Sequence, residues 1–420
     1  MASGSTTGAL DREALVRMDA ADPLAGKREA FWLPDGVIYL DGNSLGALPR
    51  RVMARMRRAV EEEWGNGLVR SWTDAGWYPA PQRAGAAIAR LAGAKPEEVI
   101  VCDSTSVNLF KALVAALRLQ PERKVVVSER GNFPTDLYVN EGVAELMDVE
   151  LRCAEPGDIE TAIRAAGSDL ALVQLTHVNY RSGLVHDMAR ITRLAHQQGA
   201  LAIWDLSHST GTLPVELNAC GVDFAVGCGY KYLNGGPGAP GFIYVATQHL
   251  PSFRQPIQGW HGHASPFAFD HDYTPHPGVD RMLVGTAPQL SLIALEEALA
   301  VFDDVDMTQL RAKGSALGEC FIRLVDQELA GQGFSLASPR EAALRGSQVS
   351  LTHPEGYAIM QALIARGVIG DFRAPDVLRF GFAGLYLRYV EVWDAVAVLK
   401  EVMSSRAWDR PAFKAWKAVT

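Results

Sequence analysis

Lys231 is the residue of this sequence best placed to do chemistry. It lies in the stretch 227–241, Gly-Cys-Gly-Tyr-Lys-Tyr-Leu-Asn-Gly-Gly-Pro-Gly-Ala-Pro-Gly, between the short apolar runs 222–226 and 241–245. Six glycines and two prolines there permit positive φ and close backbone approach, which suits a loop wrapped round a ligand. A lysine partly desolvated in such a loop has a lowered pKa, and its amine becomes a nucleophile. Other polar residues fall where apolar runs end. Asp205 closes 200–205, with His208 just beyond it. Thr176 and His177 follow 170–175. Ser104, Thr105 and Ser106 open a helical stretch after 99–102, and Phe133 and Asp136 follow 124–128. In an open α/β sheet, ligands bind beyond the carboxyl ends of the strands.

Pyridoxal phosphate needs each of these groups. Its aldehyde needs an amine to form an imine. Its pyridine nitrogen needs a carboxylate that keeps it protonated, so that the ring accepts electrons. Its phosphate needs hydroxyls and N–H groups at a helix start, and its ring face needs an apolar cover. Lys231, Asp205, Thr105 with Ser106, and Phe133 supply these in turn. Asp205 and Lys231 are 26 residues apart, room for one short excursion and one strand. Taken singly, Asp205 reads as a helix cap, His208 as a satisfied core histidine, and Thr105 and Ser106 as N-caps. Their joint placement at strand ends favours the cofactor. Residues 227–232 lack the third glycine of a dinucleotide turn, and no Gly-x-x-x-x-Gly-Lys-Ser/Thr occurs. His261, His263, His271 and His276 come without the carboxylate–histidine spacing of a known metal site, so no metal is expected.

The elements that must position these residues follow from the apolar pattern. Residues 1–7 read as a disordered tip and 11–19 as a weakly patterned helix. Val52, Met56 and Val60 recur in a helix expected over 49–64, and 65–76 reads as a loop. From 99 onward, strands at 99–102, 124–128, 149–152, 170–175, 200–205, 222–226 and 241–245 alternate with helices at 104–119, 135–146, 158–166 and 188–198. That alternation predicts an α/β fold, with a mostly parallel seven-stranded sheet covered by helices on both faces. Residues 251–288 are rich in His, Pro, Gly and aromatic side chains and have no periodicity; so long an irregular stretch is usually functional. Helices at 289–302 and 307–329, strands at 349–351 and 377–382 around a helix at 357–366, and a closing helix at 389–403 predict a smaller α+β C-terminal domain.

The 420 residues are 48% hydrophobic and 21% charged, with a net charge of −8. That balance speaks against nucleic acid or an anionic membrane as a partner. No apolar run reaches the roughly 18 residues of a membrane span, and the first ten residues lack the features of a secretory signal. The five cysteines show no Cys-x-x-Cys spacing, which fits a reducing compartment; a cytoplasmic location is expected.

Six stretches carry a resemblance to a known family: Tyr39-Leu-Asp-Gly-Asn-Ser-Leu-Gly46, Phe133-Pro-Thr-Asp136, Trp204-Asp-Leu-Ser-His208, Gly221-Val-Asp-Phe224, Tyr230-Lys-Tyr-Leu-Asn234 and Gly259-Trp-His-Gly-His263. Between Val37 and Tyr389 the chain resembles the bacterial kynureninases, pyridoxal-phosphate hydrolases of the aminotransferase-like fold type I. The resemblance implies that Lys231 bonds the cofactor and that Tyr230 contacts its phosphate and takes part in proton transfer. Asp205 would partner the pyridine nitrogen, with Asp136 assisting, and Phe133 would cover the ring. Thr105, Ser106, Thr176 and His208 match further cofactor contacts. Trp260 and Thr286 match contacts that reach over from the second subunit of a homodimer with shared active sites. Arg379, in Leu378-Arg-Phe-Gly-Phe382, matches the arginine that holds the substrate α-carboxylate, a task that suits a bidentate guanidinium. Ser44 and Trp72 fall where the family lines the substrate's aromatic end. The sequence departs at Gly384, where proline is expected.

The implied reaction is hydrolysis of L-kynurenine to anthranilate and L-alanine, in tryptophan degradation. The implied domains are an N-terminal segment, 1–48, packing with the small domain; a large cofactor-binding domain, 49–304; and a small C-terminal domain, 305–420. The alternative is another enzyme of the same fold, a cysteine desulfurase or class V aminotransferase. A desulfurase would need a reactive cysteine on a flexible loop. A cofactor-holding protein without catalysis would not need Arg379, Tyr230 and the aromatic wall together.

Overall fold

A computed structural model describes residues 9–416, and the expectation for 1–7 lies outside them. The chain divides into two compact units. The larger takes Leu45–Tyr180 and Val185–Val305; the smaller takes the chain up to Ser44, Arg181–Leu184 and the chain from Asp306 onward.

The larger unit is built on seven strands: β1 (Val99–Val101), β2 (Val125–Glu129), β3 (Glu150–Ala154), β4 (Leu170–Thr176), β5 (Leu201–Asp205), β6 (Phe224–Cys228) and β7 (Gly241–Val245). Their order in the sheet is β1-β7-β6-β5-β4-β2-β3. Only β7 is antiparallel to its neighbours. Every residue of β2, β4, β5, β6 and β7 is buried, as strands covered on both faces must be. The helices include α1 (Ala80–Leu91), α2 (Thr105–Leu119), α3 (Pro134–Met147), α4 (Ile159–Ala166), α5 (Met188–Gln197) and α6 (Gln289–Leu299). Leu109 and Leu113 of α2 join Ile203, Phe224, Val226 and Ile243 in one core cluster. Each such side chain contributes about 1.5–3 kcal/mol by leaving water. Parallel register then aligns the strand ends: Thr176 pairs with Asp205, and Asp205 with Val226.

One expectation is corrected. Residues 65–76 are not a loop. Helix Arg50–Arg58 runs into a π-helical segment, Ala59–Gly67, then a 3-10 turn, Leu68–Arg70, and a short helix, Ser71–Asp74. Glu63 holds these turns together. Its carboxylate meets Arg55 at 2.9 Å and Arg58 at 3.2 Å and accepts from Trp77 Nε1 at 2.8 Å, while its carbonyl accepts from Ser71 Oγ at 2.6 Å. Ser104 caps α2 by accepting from Val107 N at 3.4 Å, which answers the N-cap reading of its neighbours. Thr105 and Ser106 are therefore the first residues of that helix, not its caps. Segment 251–288 has only short 3-10 turns. Arg281 ties it together by donating to the carbonyls of Phe253 and His276, both at 2.7 Å, and of Pro277 at 3.1 Å.

The smaller unit carries an antiparallel sheet of β8 (Ser335–Leu336), β9 (Gln348–Thr352), β10 (Asp371–Arg373) and β11 (Val377–Gly381), in the order β8-β9-β11-β10. Its main helices are α7 (Met307–Glu328), α8 (Gly356–Ile364) and α9 (Tyr389–Ser404). Helix Arg12–Ala20 packs on α9. Asp19 there accepts from Tyr389 N at 2.6 Å and Val390 N at 3.0 Å, satisfying N–H groups that a helix start leaves open. Among the described residues, no helix is long and apolar enough to cross a membrane.

Candidate active site

In the larger unit, Lys231 sits just past the end of β6, in the turn to β7. Two glycines bring other segments against this turn. Gly46 N donates to Tyr230 O at 2.8 Å, and a Cβ on Gly46 would come within 2.6 Å of Asn234 Cα. Gly241 N donates to Asp103 O at 2.7 Å, and a Cβ on Gly241 would lie 3.0 Å from Thr105 N. The start of α2 thus lies against the end of the β6–β7 pair. Lys231 Nζ is 3.0 Å from His208 Nε2. It stands 5.7 Å from the Phe133 ring centre and 5.8 Å from that of Tyr230. Phe133 is itself braced edge-on by Tyr180 at 5.2 Å.

Asp205 and Asp136 form the buried acidic part of the site. Asp205 accepts from Ser207 N at 2.7 Å, and Asp136 accepts from Gln174 Nε2 at 3.0 Å. Burial pushes both carboxyls above the usual range, and the charge of Asp205 raises Asp136 further. Where two buried carboxyls act on each other in this way, one keeps its proton, and a cationic ring N–H is the partner that relieves the remaining charge. Thr105 Oγ1 is buried with no hydrogen-bond partner. At the N-terminus of a 15-residue helix, that is the donor set an anionic phosphate satisfies. The residues present therefore fit pyridoxal phosphate at both its charged ends. Thr176 Oγ1 donates to Asn132 Oδ1, which also accepts from Phe133 N at 2.7 Å. Burial, with Cys228 and Asp205 nearby, holds the Tyr230 phenol protonated.

The fold thus brings Lys231, His208, Phe133, Tyr230, Asp205, Asp136, Thr176 and Thr105 together. Ser106 follows Thr105 in the first turn of α2. Trp72 belongs to a hydrophobic cluster with Trp77, Ala59 and Ile293, its ring edge-on to Trp77 at 5.8 Å. Trp260 is 41% exposed and stacks on His261 at 4.8 Å; Thr286 is exposed. Two other histidines of that segment serve its backbone, His263 Nδ1 accepting from Ser265 N at 2.9 Å and His276 Nδ1 from Gly278 N at 3.1 Å. All five cysteines are free, and burial raises the thiol pKa of each. None is prepared as the thiolate a desulfurase uses.

In the smaller unit, Arg379 on β11 faces Asp371 on β10, its partner in the antiparallel register. Arg379 Nε donates to Asp371 Oδ1 at 2.6 Å and Nη2 to Asp371 Oδ2. Ser44 Oγ donates to Asp371 Oδ2 at 2.9 Å and accepts from Arg379 Nη2 at 3.2 Å. Arg373 Nη2 adds a contact to Asp371 at 2.7 Å. Sequence reading missed Asp371 and Asp41, because strand pairing supplies the contact and no local motif marks it. Residues 42–46 also have the Gly-x-Ser-x-Gly spacing of a serine-hydrolase turn. Ser44 here bonds a carboxylate and a guanidinium, where a serine nucleophile needs an imidazole.

Asp41 lies alongside Gly381, with Oδ1 buried and unbonded. Burial, and then the Asp371 charge, push its carboxyl up to about 7. A carboxyl that holds its proton more tightly folded than unfolded stabilises the protein fully below the unfolded value, and that contribution is lost as pH rises through about 7. Asp41→Asn should therefore gain thermal stability relative to the wild type as pH rises from 5 to 8. Melting temperatures of both proteins across that range check it; a constant gap would refute the placement of Asp41.

Comparison with known proteins adds to this geometry. A family model described as the Kynureninase C-terminal domain matches residues 310–399. Kynureninase of Burkholderia mallei (strain SAVP1) is 50% identical over 416 residues, and that of Pseudomonas fluorescens 50% identical over 413; each match covers 97% of this chain and 99% of the relative. Among solved structures, a cysteine desulfurase from Thermococcus onnurineus NA1 superposes with a TM-score of 0.77 at 18% identity, covering 90% of this chain and 98% of its own. A C-DES mutant with glycine covalently linked to the PLP cofactor gives 0.77 at 17%, covering 89% and 99%. At such identities these two establish the fold alone.

Proposed function

The chain belongs to the kynureninase family, and on that premise we propose how its residues divide the hydrolysis of L-kynurenine to anthranilate and L-alanine. Pyridoxal phosphate, when bound, supplies the electron sink that lets bonds at the substrate's Cα and Cβ break heterolytically. Asp205, backed by Asp136, holds the proton on the ring nitrogen. Thr105 and Ser106, at the start of α2, take the phosphate, and Phe133 covers the ring. The Lys231 amine would hold the cofactor and would take the proton from substrate Cα; His208, 3.0 Å away, orients that amine. Tyr230, a protonated phenol, donates and recovers a proton near the bond that breaks. Arg379 receives the α-carboxylate. One water is consumed: its oxygen joins the carbonyl carbon of the aryl ketone to make the anthranilate carboxylate, and the Cβ–Cγ electron pair is protonated to the methyl group of alanine.

The observation that carries this reading is Lys231 poised between His208 and Phe133 beside the strand end that bears Asp205. The test is incubation of the holoenzyme with L-kynurenine and detection of anthranilate by its fluorescence. Absence of anthranilate, or release of sulfide from cysteine in its place, would refute it. The domain division stated above and a cytoplasmic location complete the proposal.

The protein acts as a homodimer with shared sites. What supports this is the irregular 251–288 segment, with Trp260, Phe267 and Phe269 exposed at 41%, 64% and 75%. Exposed aromatic groups of this kind mark a surface that another chain covers. Mixing Lys231→Ala subunits with subunits altered at Trp260 and Thr286 should restore part of the activity. A monomer in sedimentation at micromolar concentration would refute it.

Substrate choice follows from Trp72 and Thr286 if they flank the aromatic ring. A 3-hydroxyl buried without a partner costs about 1–3 kcal/mol, roughly tenfold to a hundredfold in preference for L-kynurenine over 3-hydroxy-L-kynurenine. Trp72→His with Thr286→Asn should narrow the kcat/KM ratio. Equal wild-type values, or no shift in the double variant, would misplace the aromatic wall.

A further inference from the structure

We propose that Gln174 is a positioning residue for the cofactor: it fixes Asp136 against Asp205, and by the same network fixes the backbone that presents Phe133. The inference rests on the pyridoxal-phosphate reading of the site. Gln174 is the amide in the otherwise apolar strand Leu-Ala-Leu-Val-Gln-Leu-Thr of β4, and it is fully buried. A buried amide is costly unless its groups are bonded, and those of Gln174 are. Its Oε1 accepts from Asn140 Nδ2 at 2.7 Å, Asn132 Nδ2 at 3.2 Å and Ser128 Oγ at 3.3 Å. Its Nε2 donates to Asp136 Oδ2 at 3.0 Å.

Three donors converging on Oε1 leave one orientation for the amide, with its NH2 toward Asp136; the flipped amide would set donors against donors. Asp136 Oδ2 is thereby engaged as an acceptor. A proton held by Asp136 then belongs to its other oxygen, and the charge of the pair is left on Asp205, at the end of β5. Asn132 extends the network. Its Nδ2 bonds Gln174 and its Oδ1 accepts from Phe133 N and Thr176 Oγ1, so the ring-covering phenyl and the carboxyl pair hang on one amide.

The experiment compares Gln174→Glu and Gln174→Met with wild type. Gln174→Glu keeps the shape and the acceptor for Asn140 but sets a titratable carboxyl against Asp136 in place of the amide donor. Gln174→Met keeps the length in an apolar strand and is the variant least prone to misfold. Two readouts do not use kynurenine: the dissociation constant of pyridoxal 5'-phosphate from the apoenzyme by equilibrium dialysis, and the pH midpoint of the bound cofactor's visible absorbance. The third is kcat and KM. Residues that orient a directly contacting group typically matter by about 10–100-fold. Cofactor affinity and kcat should fall by about that factor, with KM for kynurenine changing much less. The absorbance midpoint should move up, because a less protonated ring nitrogen repels a nearby proton less. A folded Gln174→Met that retains wild-type cofactor affinity and midpoint overturns the proposal. So does failure of both to fold, which would make Gln174 a residue of the fold alone. If wild type binds the cofactor yet forms no anthranilate, the proposed reaction fails while this inference is still decided by the first two readouts.

Discussion

Lys231→Ala should lose at least about 10⁴-fold in kcat, because one amine is asked both to bond the cofactor and to move the substrate's α-proton, and proton transfer alone contributes about 10²–10⁴-fold. The protein should stay folded. Lys231 is half-buried in a turn, outside every strand and helix of the sheet that carries the core, and its side chain contacts His208 and the faces of two rings. Substitutions at such positions seldom cost more than about 1 kcal/mol. The circular dichroism spectrum and melting temperature should therefore match the wild type. The purified wild type should be yellow, and the variant should lack the lysine-linked visible band even when pyridoxal phosphate is supplied. Turnover at the wild-type rate would sink the assignment of Lys231, and with it the reading of the glycine-rich turn.

The turn itself was legible because its composition is extreme. The seven strands were legible because a sheet covered on both faces must be written in apolar runs, and two of those runs end in Thr176 and Asp205. What was not legible is set by contacts between particular side chains and strands, not by composition or periodicity. Asp371 meets Arg379 through strand register, which no local pattern encodes. Arg181–Leu184 joins the smaller unit through bonds such as Ser350 Oγ to Arg181 O at 2.6 Å. Residues 65–76 carry three glycines and no periodicity, the ordinary marks of a loop; the bonds of Glu63 to Arg55, Arg58, Ser71 and Trp77 override them. Gln174 was passed over because one amide does not disturb the apolar character of its strand.

Arg379→Met should separate the structural pairing of Arg379 with Asp371 from the carboxylate binding proposed for it. Arg379 and Asp371 are each about 1% exposed. Burial would raise the Asp371 carboxyl, but Arg379, with Arg373, overrides burial and holds it below its ordinary range. Removing one partner of a buried pair costs about 3–5 kcal/mol, because the other charge stays behind. Arg373 still reaches Asp371 at 2.7 Å, so the loss should fall toward the lower end. Replacing both partners by apolar groups is often neutral or stabilising, so Arg379→Met with Asp371→Leu should recover most of the melting temperature. Activity should not follow. The α-carboxylate would have lost its guanidinium, and a charge-assisted hydrogen bond is worth about 1.5–3 kcal/mol; two such bonds amount to at least about 10²-fold in kcat/KM. Most of that loss should appear in KM. Thermal melts and steady-state kinetics on the single and double variants test both halves. If the double variant regains kcat/KM together with its stability, Arg379 only holds the small sheet together and the substrate carboxylate is bound elsewhere.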